Sequence, residues 1–202
     1  MKIGITGTIA SGKTSVSILF RRMGFCVFNA DQYAKMTTHA SNPYFKQLIT
    51  ILSEEVLDDS GDINRQKMAD IIFHDEEKRK QVNAIVHPYV IEGMQRFFEN
   101  HKDQKIIFAE IPLLFEANMK EYFDKILVVS CSKETAIKRM KEDRNYSEEQ
   151  ALARYSSQFD PEYQMQNADD VIMNDSDLKE LGSKVNQYIA GLRKEMRHRN
   201  GA

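Results

Sequence analysis

The chain has 202 residues, 42% of them hydrophobic, with 28 Lys and Arg set against 30 Asp and Glu. That length can bury one substantial core without division into independent domains, and the near-neutral balance excludes the global basic field of a nucleic-acid binder. No apolar run reaches the roughly 18–20 residues of a membrane span, and a strand that starts at residue 2 leaves no room for a cleaved leader, so a cytoplasmic protein with no membrane partner is expected.

Lys2-Ile3-Gly4-Ile5-Thr6 is a short, largely apolar strand, and Gly7 to Thr14 follows it as Gly-Thr-Ile-Ala-Ser-Gly-Lys-Thr. This is a complete G-x-x-x-x-G-K-[ST] phosphate loop between a strand and a predicted helix over Thr14–Met23. Gly7 permits the sharp turn, and Gly12 lets the backbone approach an oxyanion without a Cβ in the way. The loop N–H groups and the helix amino end suit phosphate oxygens, and the candidate ATP-binding residues are Gly7, Ala10, Ser11, Gly12, Lys13, Thr14 and Ser15. Lys13 reaches the β/γ-phosphates and the Thr14 hydroxyl is placed to ligate Mg²⁺. The alternative is a glycine-bearing turn that matches by chance, and the strand–loop–helix context argues against it.

Cys26-Val27-Phe28 is a second short strand, ending at Asn29-Ala30-Asp31. Asp31 should emerge at the carboxyl edge of the sheet, where ligands of open α/β sheets bind. There it could take a proton from an attacking hydroxyl, orient that hydroxyl, or hold Mg²⁺ through water. The competing role for an Asp just before a helix is an N-cap.

From Gln32 to Asn100 no persuasive strand occurs. Helices are predicted from Asn42-Pro43 through Leu52, over Arg65–Phe73 and over Glu76–Asn100, with a bend or break in the last at Pro88. His87, just before that proline, is either a packed residue or a ligand-binding one. Strands return at Lys105–Ala109 and Lys125–Ser130, as continuous apolar runs that suit a parallel sheet buried on both faces. Glu110, ending the first of them, could hold Mg²⁺ through water or be merely a polar strand end. The turn Ile111-Pro112-Leu113-Leu114-Phe115-Glu116 leaves the sheet, with Glu116 a candidate for an acceptor contact.

A helix over Ser132–Arg144 carries Lys133, Lys138, Arg139, Lys141 and Arg144. Arg139 and Arg144 lie about 140° apart on an ideal helix, so a mobile or broken helix would help them converge on phosphoryl oxygens. The alternative is a solvated face shared with Glu134, Glu142 and Asp143. Ser147-Glu148-Glu149-Gln150 has the form of a capping box and opens a further helix that carries Arg154. Val171-Ile172-Met173 is a last short strand, and Ser176–Arg197 a closing helix with a basic, solvated end. Cys26 and Cys131 read as reduced, partly buried thiols rather than a metal or redox pair. Strands alternating with helices make an α/β fold with a parallel sheet and helices on both faces, the all-helical stretch being an insertion after the second strand.

Taken together, these pieces resemble the dephospho-CoA kinase family. The resemblance spans nearly the whole chain. It rests on Gly4-Ile5-Thr6-Gly7 with Ser11-Gly12-Lys13-Thr14, Asn29-Ala30-Asp31, His87-Pro88 and Ile111-Pro112-Leu113-Leu114-Phe115-Glu116. It continues through Arg139 with Arg144, Arg154 with Gln158, and Ala168-Asp169-Asp170-Val171-Ile172-Met173-Asn174. The resemblance implies a three-layer P-loop kinase fold with a parallel central sheet, a helical acceptor-binding insertion and a lid. On that pattern the core is about 1–31 and 101–202, the insertion about 32–100 and the lid about 139–165.

The implied reaction is ATP-dependent phosphorylation of the ribose 3′-hydroxyl of dephospho-CoA, with Mg²⁺, by a monomer or weak homo-oligomer. In it Lys13, Asp31, Arg139 and Arg144 are catalytic. Asp31, His87, Glu116 and Arg154 meet the acceptor, and Thr14 holds Mg²⁺ with Asp31 or Glu110 through water. Two departures from the family pattern stand out. Thr8 and Ala10 replace frequent glycines, which predicts a slightly stiffer loop, and Asn29 replaces a common Asp, which leaves Asp31 the only carboxylate of its step.

Overall fold

The structure, a computed structural model, describes residues 1–200 apart from the side chains of Arg144, Arg199 and Asn200. The chain divides into two compact units, one of residues 1–28 with 101–202 and one of Asn29–Asn100.

The first unit is built on a five-stranded sheet. Its strands are β1 (Lys2–Thr6), β2 (Cys26–Asn29), β3 (Ile107–Glu110), β4 (Lys125–Ser130) and β5 (Asp170–Met173), in the order β2-β3-β1-β4-β5. β1 runs parallel to both β3 and β4, and β4 runs parallel to β5. The register pairs Ile5 with Glu110 and Thr6 with Val128, so the carboxyl ends of three central strands finish side by side where the phosphate loop begins. The predicted strand over Lys105–Ala109 is displaced toward the carboxyl end. Pairing with β1 begins at Ile107 and takes Glu110 into the sheet.

The core follows from the apolar runs. Ile3, Ile5, Phe108, Leu127 and Val129 pack with Val16 and Phe20 of helix α1 (Lys13–Arg22). Phe20 stacks on Phe108 with ring centroids 4.0 Å apart, and Phe25 meets Phe108 edge-on. Leu181, Val185, Ile189 and Leu192 join the same core; they recur at helical spacing along the last helix, which spans Leu178–Asn200, and give it one buried stripe. Each such side chain contributes about 1.5–3 kcal/mol of burial.

The second unit is helical. Helix α2 (Ala30–Lys35) is followed by α3 (Phe45–Leu52), α4 (Arg65–His74) and α5 (Glu76–Asn100), around a core of Leu48, Leu52, Val56, Ile63 and Val82. α2 is too short for a periodic signal; an isolated antiparallel bridge joins Leu57 to Ile63. Of the bend or break expected at Pro88, the break does not occur: α5 is continuous through it. Proline removes one backbone hydrogen bond, but α5 packs on α2, α3 and α4, and it buries Val82 before the proline and Val90, Met94 and Phe98 after it. Packing on both sides outweighs the local preference.

Back in the first unit, α6 (Lys133–Arg144) is capped by Ser132. The predicted capping box opens α7 (Glu148–Ser156), with Ser147 and Gln150 exchanging hydrogen bonds of 3.0 and 3.1 Å. A short α8 (Pro161–Gln166), started by Asp160-Pro161, separates α7 from β5, and the last helix, Leu178–Asn200, is α9.

Candidate active site

The loop after β1 is a tightly held turn. Gly7 has φ +143°, and a Cβ there would collide with the Val129 carbonyl oxygen, so only glycine fits. Gly12, at φ +96°, caps α1, and a Cβ on it would run into Asn174 Nδ2. Between them Ala10 is left-handed with φ 59°, a conformation that costs a non-glycine residue about 1 kcal/mol.

Three successive loop residues are gripped by side chains from elsewhere in the unit. The Ile9 N–H donates to Gln158 Oε1 at 2.6 Å, and Arg139 Nη1 donates to the Ala10 carbonyl at 3.2 Å. Asn174 Nδ2 donates to the Ser11 carbonyl at 2.7 Å. The Thr8 and Ser11 hydroxyls are buried without a hydrogen-bond partner among the described residues. A concavity with loop amides, a helix amino end and orphaned hydroxyls suits an oxyanion.

Lys13 folds back over the loop and donates to the Gly7 and Thr8 carbonyls, both at 2.8 Å. The Thr14 hydroxyl donates to Glu110 Oε1 at 2.8 Å. Glu110 is only 3% exposed, so the β3 end is a carboxylate held in place rather than a solvated strand terminus. The hydroxyl and carboxylate fit the needs of Mg²⁺, which takes one or two protein oxygens and fills its other positions with water and phosphate. A site of that kind needs no larger ligand cluster, and among the described residues no group of three or more His, Cys, Asp or Glu could hold a metal.

On the α6–α7 side the predicted cations divide. Lys133, Lys138 and Lys141 line the solvated face, and Lys141 pairs with Glu148 at 3.0 Å. Arg139 alone among the described ones turns inward to the loop. The Arg144 side chain lies outside the described residues. Arg154 is exposed and stacks over the Tyr146 ring at 4.6 Å. Glu116 Oε1 accepts the Phe159 N–H at 3.3 Å. At the root of α6, Asp175 accepts the Ser132 N–H at 2.7 Å; burial pushes its carboxyl up, but the hydrogen bonds from Ser132 and Thr135 and the nearby Arg139 charge outweigh this and hold it low. Cys131 is a free thiol whose burial pushes its pKa up, which makes it unreactive.

In the second unit, Asp31 is exposed in the first turn of α2. Asn29, not Asp31, is the cap of that helix, its Oδ1 accepting the Gln32 N–H at 2.8 Å. The capping alternative for Asp31 is therefore removed. His87 lies on α5, where solvent still reaches the residue while neighbouring protein mass lowers its pKa by desolvation. Gln158 and Asn174 were not expected to touch the loop. Their partners are 149 and 163 residues away, and no local pattern announces such contacts.

Comparison with known proteins adds a family to this geometry. Residues 1–180 match the family model described as dephospho-CoA kinase. A dephospho-CoA kinase from Bacillus cereus is 39% identical over 185 residues, covering 91% of this chain and 92% of that protein. One from Listeria monocytogenes serotype 4b is 37% identical over 191 residues, covering 93% and 94%. Among solved structures, TT1252 from Thermus thermophilus superposes with TM-score 0.80 at 30% identity, covering 95% of this chain and 97% of that one. A dephospho-CoA kinase from Campylobacter jejuni gives 0.72 at 27% identity, covering 96% and 99%. Shikimate kinase from Bacteroides thetaiotaomicron, at 0.54 and 12% identity over 96% and 98%, shares the fold alone.

Proposed function

Because the chain belongs to the dephospho-CoA kinase family, we propose that it transfers the γ-phosphoryl group of ATP to the ribose 3′-hydroxyl of dephospho-CoA, giving CoA and ADP in the last step of coenzyme A synthesis. The family match over residues 1–180 carries this reading. The loop geometry supports its donor half.

Phosphoryl transfer asks the protein for in-line positioning and for stabilisation of charge on the transferred group. In the proposed mechanism the loop N–H groups from Ala10 to Ser15 bind the triphosphate. Lys13 exchanges the Gly7 and Thr8 carbonyls for the β/γ-phosphate oxygens, and the charge it brings is worth more there than against neutral carbonyls. Thr14, with Glu110 behind it, would hold Mg²⁺, which when bound would neutralise phosphate charge.

Asp31 orients the acceptor hydroxyl and takes its proton as the bond to phosphorus forms. Arg139, with Arg144, supplies charge to the γ-oxygens; Arg139 already faces the loop through the Ala10 carbonyl. His87, Glu116 and Arg154 are assigned to the acceptor. We assign residues of about 1–31 and 101–202 to the core, about 32–100 to acceptor binding, and about 139–165 to a lid whose closure excludes water as a competing acceptor. No described helix is long and apolar enough to cross a membrane, and we propose a cytoplasmic enzyme, monomeric or weakly self-associating.

Mass spectrometry of the product from ATP, Mg²⁺ and dephospho-CoA tests the reading, with the phosphate assigned to the 2′ or 3′ position. The expected product gains one phosphoryl group at the 3′ position. No gain with dephospho-CoA, alongside phosphorylation of AMP, other nucleoside monophosphates or small polyols, overturns it in favour of another small-molecule kinase on the same scaffold.

A further inference from the structure

The phosphate loop departs from a glycine-rich one at Ala10, which is left-handed although it carries a Cβ. Such a residue persists only where its surroundings over-determine it. On one side, the Ile9 N–H is held by Gln158 Oε1 at 2.6 Å; on the other, the Ser11 carbonyl is held by Asn174 Nδ2 at 2.7 Å.

Both holders are themselves fixed. Asn174 is 6% exposed, its own N–H donates to the Ser130 carbonyl at 2.7 Å, and the neighbouring Asp175 accepts the Ser132 N–H at 2.7 Å. Its amide fills the space that the missing Cβ of Gly12 leaves, so Gly12 and Asn174 fit as a pair. Gln158 sits in the segment between α7 and α8. There the next residue, Phe159, is pinned through its N–H to Glu116 at 3.3 Å and through its carbonyl to Gln164 Nε2 at 3.2 Å.

We infer that Gln158 and Asn174 are positioning residues for the donor site, which clamp the left-handed turn at Ala10 from both sides and so present the loop N–H groups to the triphosphate. Neither residue needs to touch the nucleotide. Asn174 acts as a fixed strut from the end of β5, whereas Gln158 ties the loop to the segment proposed as the lid. Nucleotide affinity then depends on where that segment stands. The inference rests on the ATP-donor half of the proposed function and is independent of the acceptor.

The test is the affinity of the full chain for Mg²⁺ with a non-hydrolysable ATP analogue, measured by calorimetry. The variants are Gln158→Ala, Ala10→Gly/Gln158→Ala and Asn174→Asp, which keeps the shape of the asparagine but removes the donor. Gln158→Ala should weaken binding roughly tenfold, as expected for a partly buried backbone N–H losing its acceptor, and should speed hydrogen exchange at the Ile9 amide.

Ala10→Gly in the same chain should restore most of that affinity, because glycine takes positive φ without a Cβ penalty. Asn174→Asp should weaken binding at least as much as Gln158→Ala. Unchanged affinity in Gln158→Ala overturns the inference, and so does a loss that Ala10→Gly leaves unrelieved. If Asn174→Asp fails to fold, the Gln158 pair still decides. An analogue that binds while dephospho-CoA is not phosphorylated defeats the proposed reaction and leaves this inference standing.

Discussion

The two units carry their candidate residues in opposite ways. In the sheet-based unit nearly every one is already engaged: Lys13 on two carbonyls, Thr14 on a buried Glu110, Arg139 on the Ala10 carbonyl. In the helical unit Asp31 and His87 sit on exposed positions, with α2 capped by Asn29 instead of Asp31. Engaged groups hold a geometry before any ligand arrives, which is what stabilising charge on a transferred phosphoryl requires. Asp31 is proposed to act on the acceptor hydroxyl and not on the nucleotide, so its effect should appear in turnover and not in ATP binding. On the proposed function, the engaged groups make up the donor site and the exposed ones serve the acceptor.

The largest expected effect tests the exposed side. Asp31→Asn removes the proposed proton acceptor but keeps the size of the side chain. Turnover of dephospho-CoA should fall by about 10²–10⁴, the range for a positioned base, while affinity for ATP stays within about twofold. Steady-state kinetics with calorimetry of nucleotide binding separates the two quantities. Turnover near that of the unmodified chain would take Asp31 out of the mechanism and break the contrast at its strongest point.

The next effect tests the engaged side. Lys13→Met should cut kcat/KM by about 10²–10³, the loss seen when one preorganised donor to developing charge is removed. Part of that loss should lie in ATP binding itself, if Lys13 serves the bound triphosphate as well as the transition state, as proposed. A fall confined to kcat would mean that Lys13 remains on the Gly7 and Thr8 carbonyls until the reaction begins.

The phosphate loop was legible because each of its fixed positions imposes a residue type on a backbone conformation: Gly7 and Gly12 at positive φ, Lys13 and Thr14 at the helix start. The buried strands and the Ser147 capping box were legible for the same local reason. The holders of the loop were not. Gln158 and Asn174 stand in stretches that carry the family resemblance, but they reach the loop across 149 and 163 residues, and no local pattern says what they touch. Pro88 does not break its helix. Its local preference is real, but Val82, Val90, Met94 and Phe98 anchor α5 on both sides of it. The strand order, with β1 between β3 and β4, is a further property of long-range pairing that composition and period do not encode.

The smallest expected effect concerns His87 and is one of pH. Desolvation lowers its pKa below the ordinary 6.5, so in the folded chain the ring prefers to be neutral. Below about pH 6.5 the unfolded state binds the proton more readily than the folded one, and stability falls as the pH drops toward the folded-state pKa. Above that range the residue contributes no pH dependence. Because solvent reaches His87, the slope should be shallow, and His87→Gln should flatten it in urea unfolding midpoints measured between about pH 7.5 and 5.5.

If His87 meets the diphosphate of the acceptor, the negative charge should raise its pKa again. Dephospho-CoA binding at about pH 6.5 should then be accompanied by proton uptake, seen as a dependence of the calorimetric enthalpy on the buffer's ionisation enthalpy. His87→Gln should abolish that uptake. Uptake that survives the substitution would place the responsible group elsewhere and return His87 to a packing role on α5.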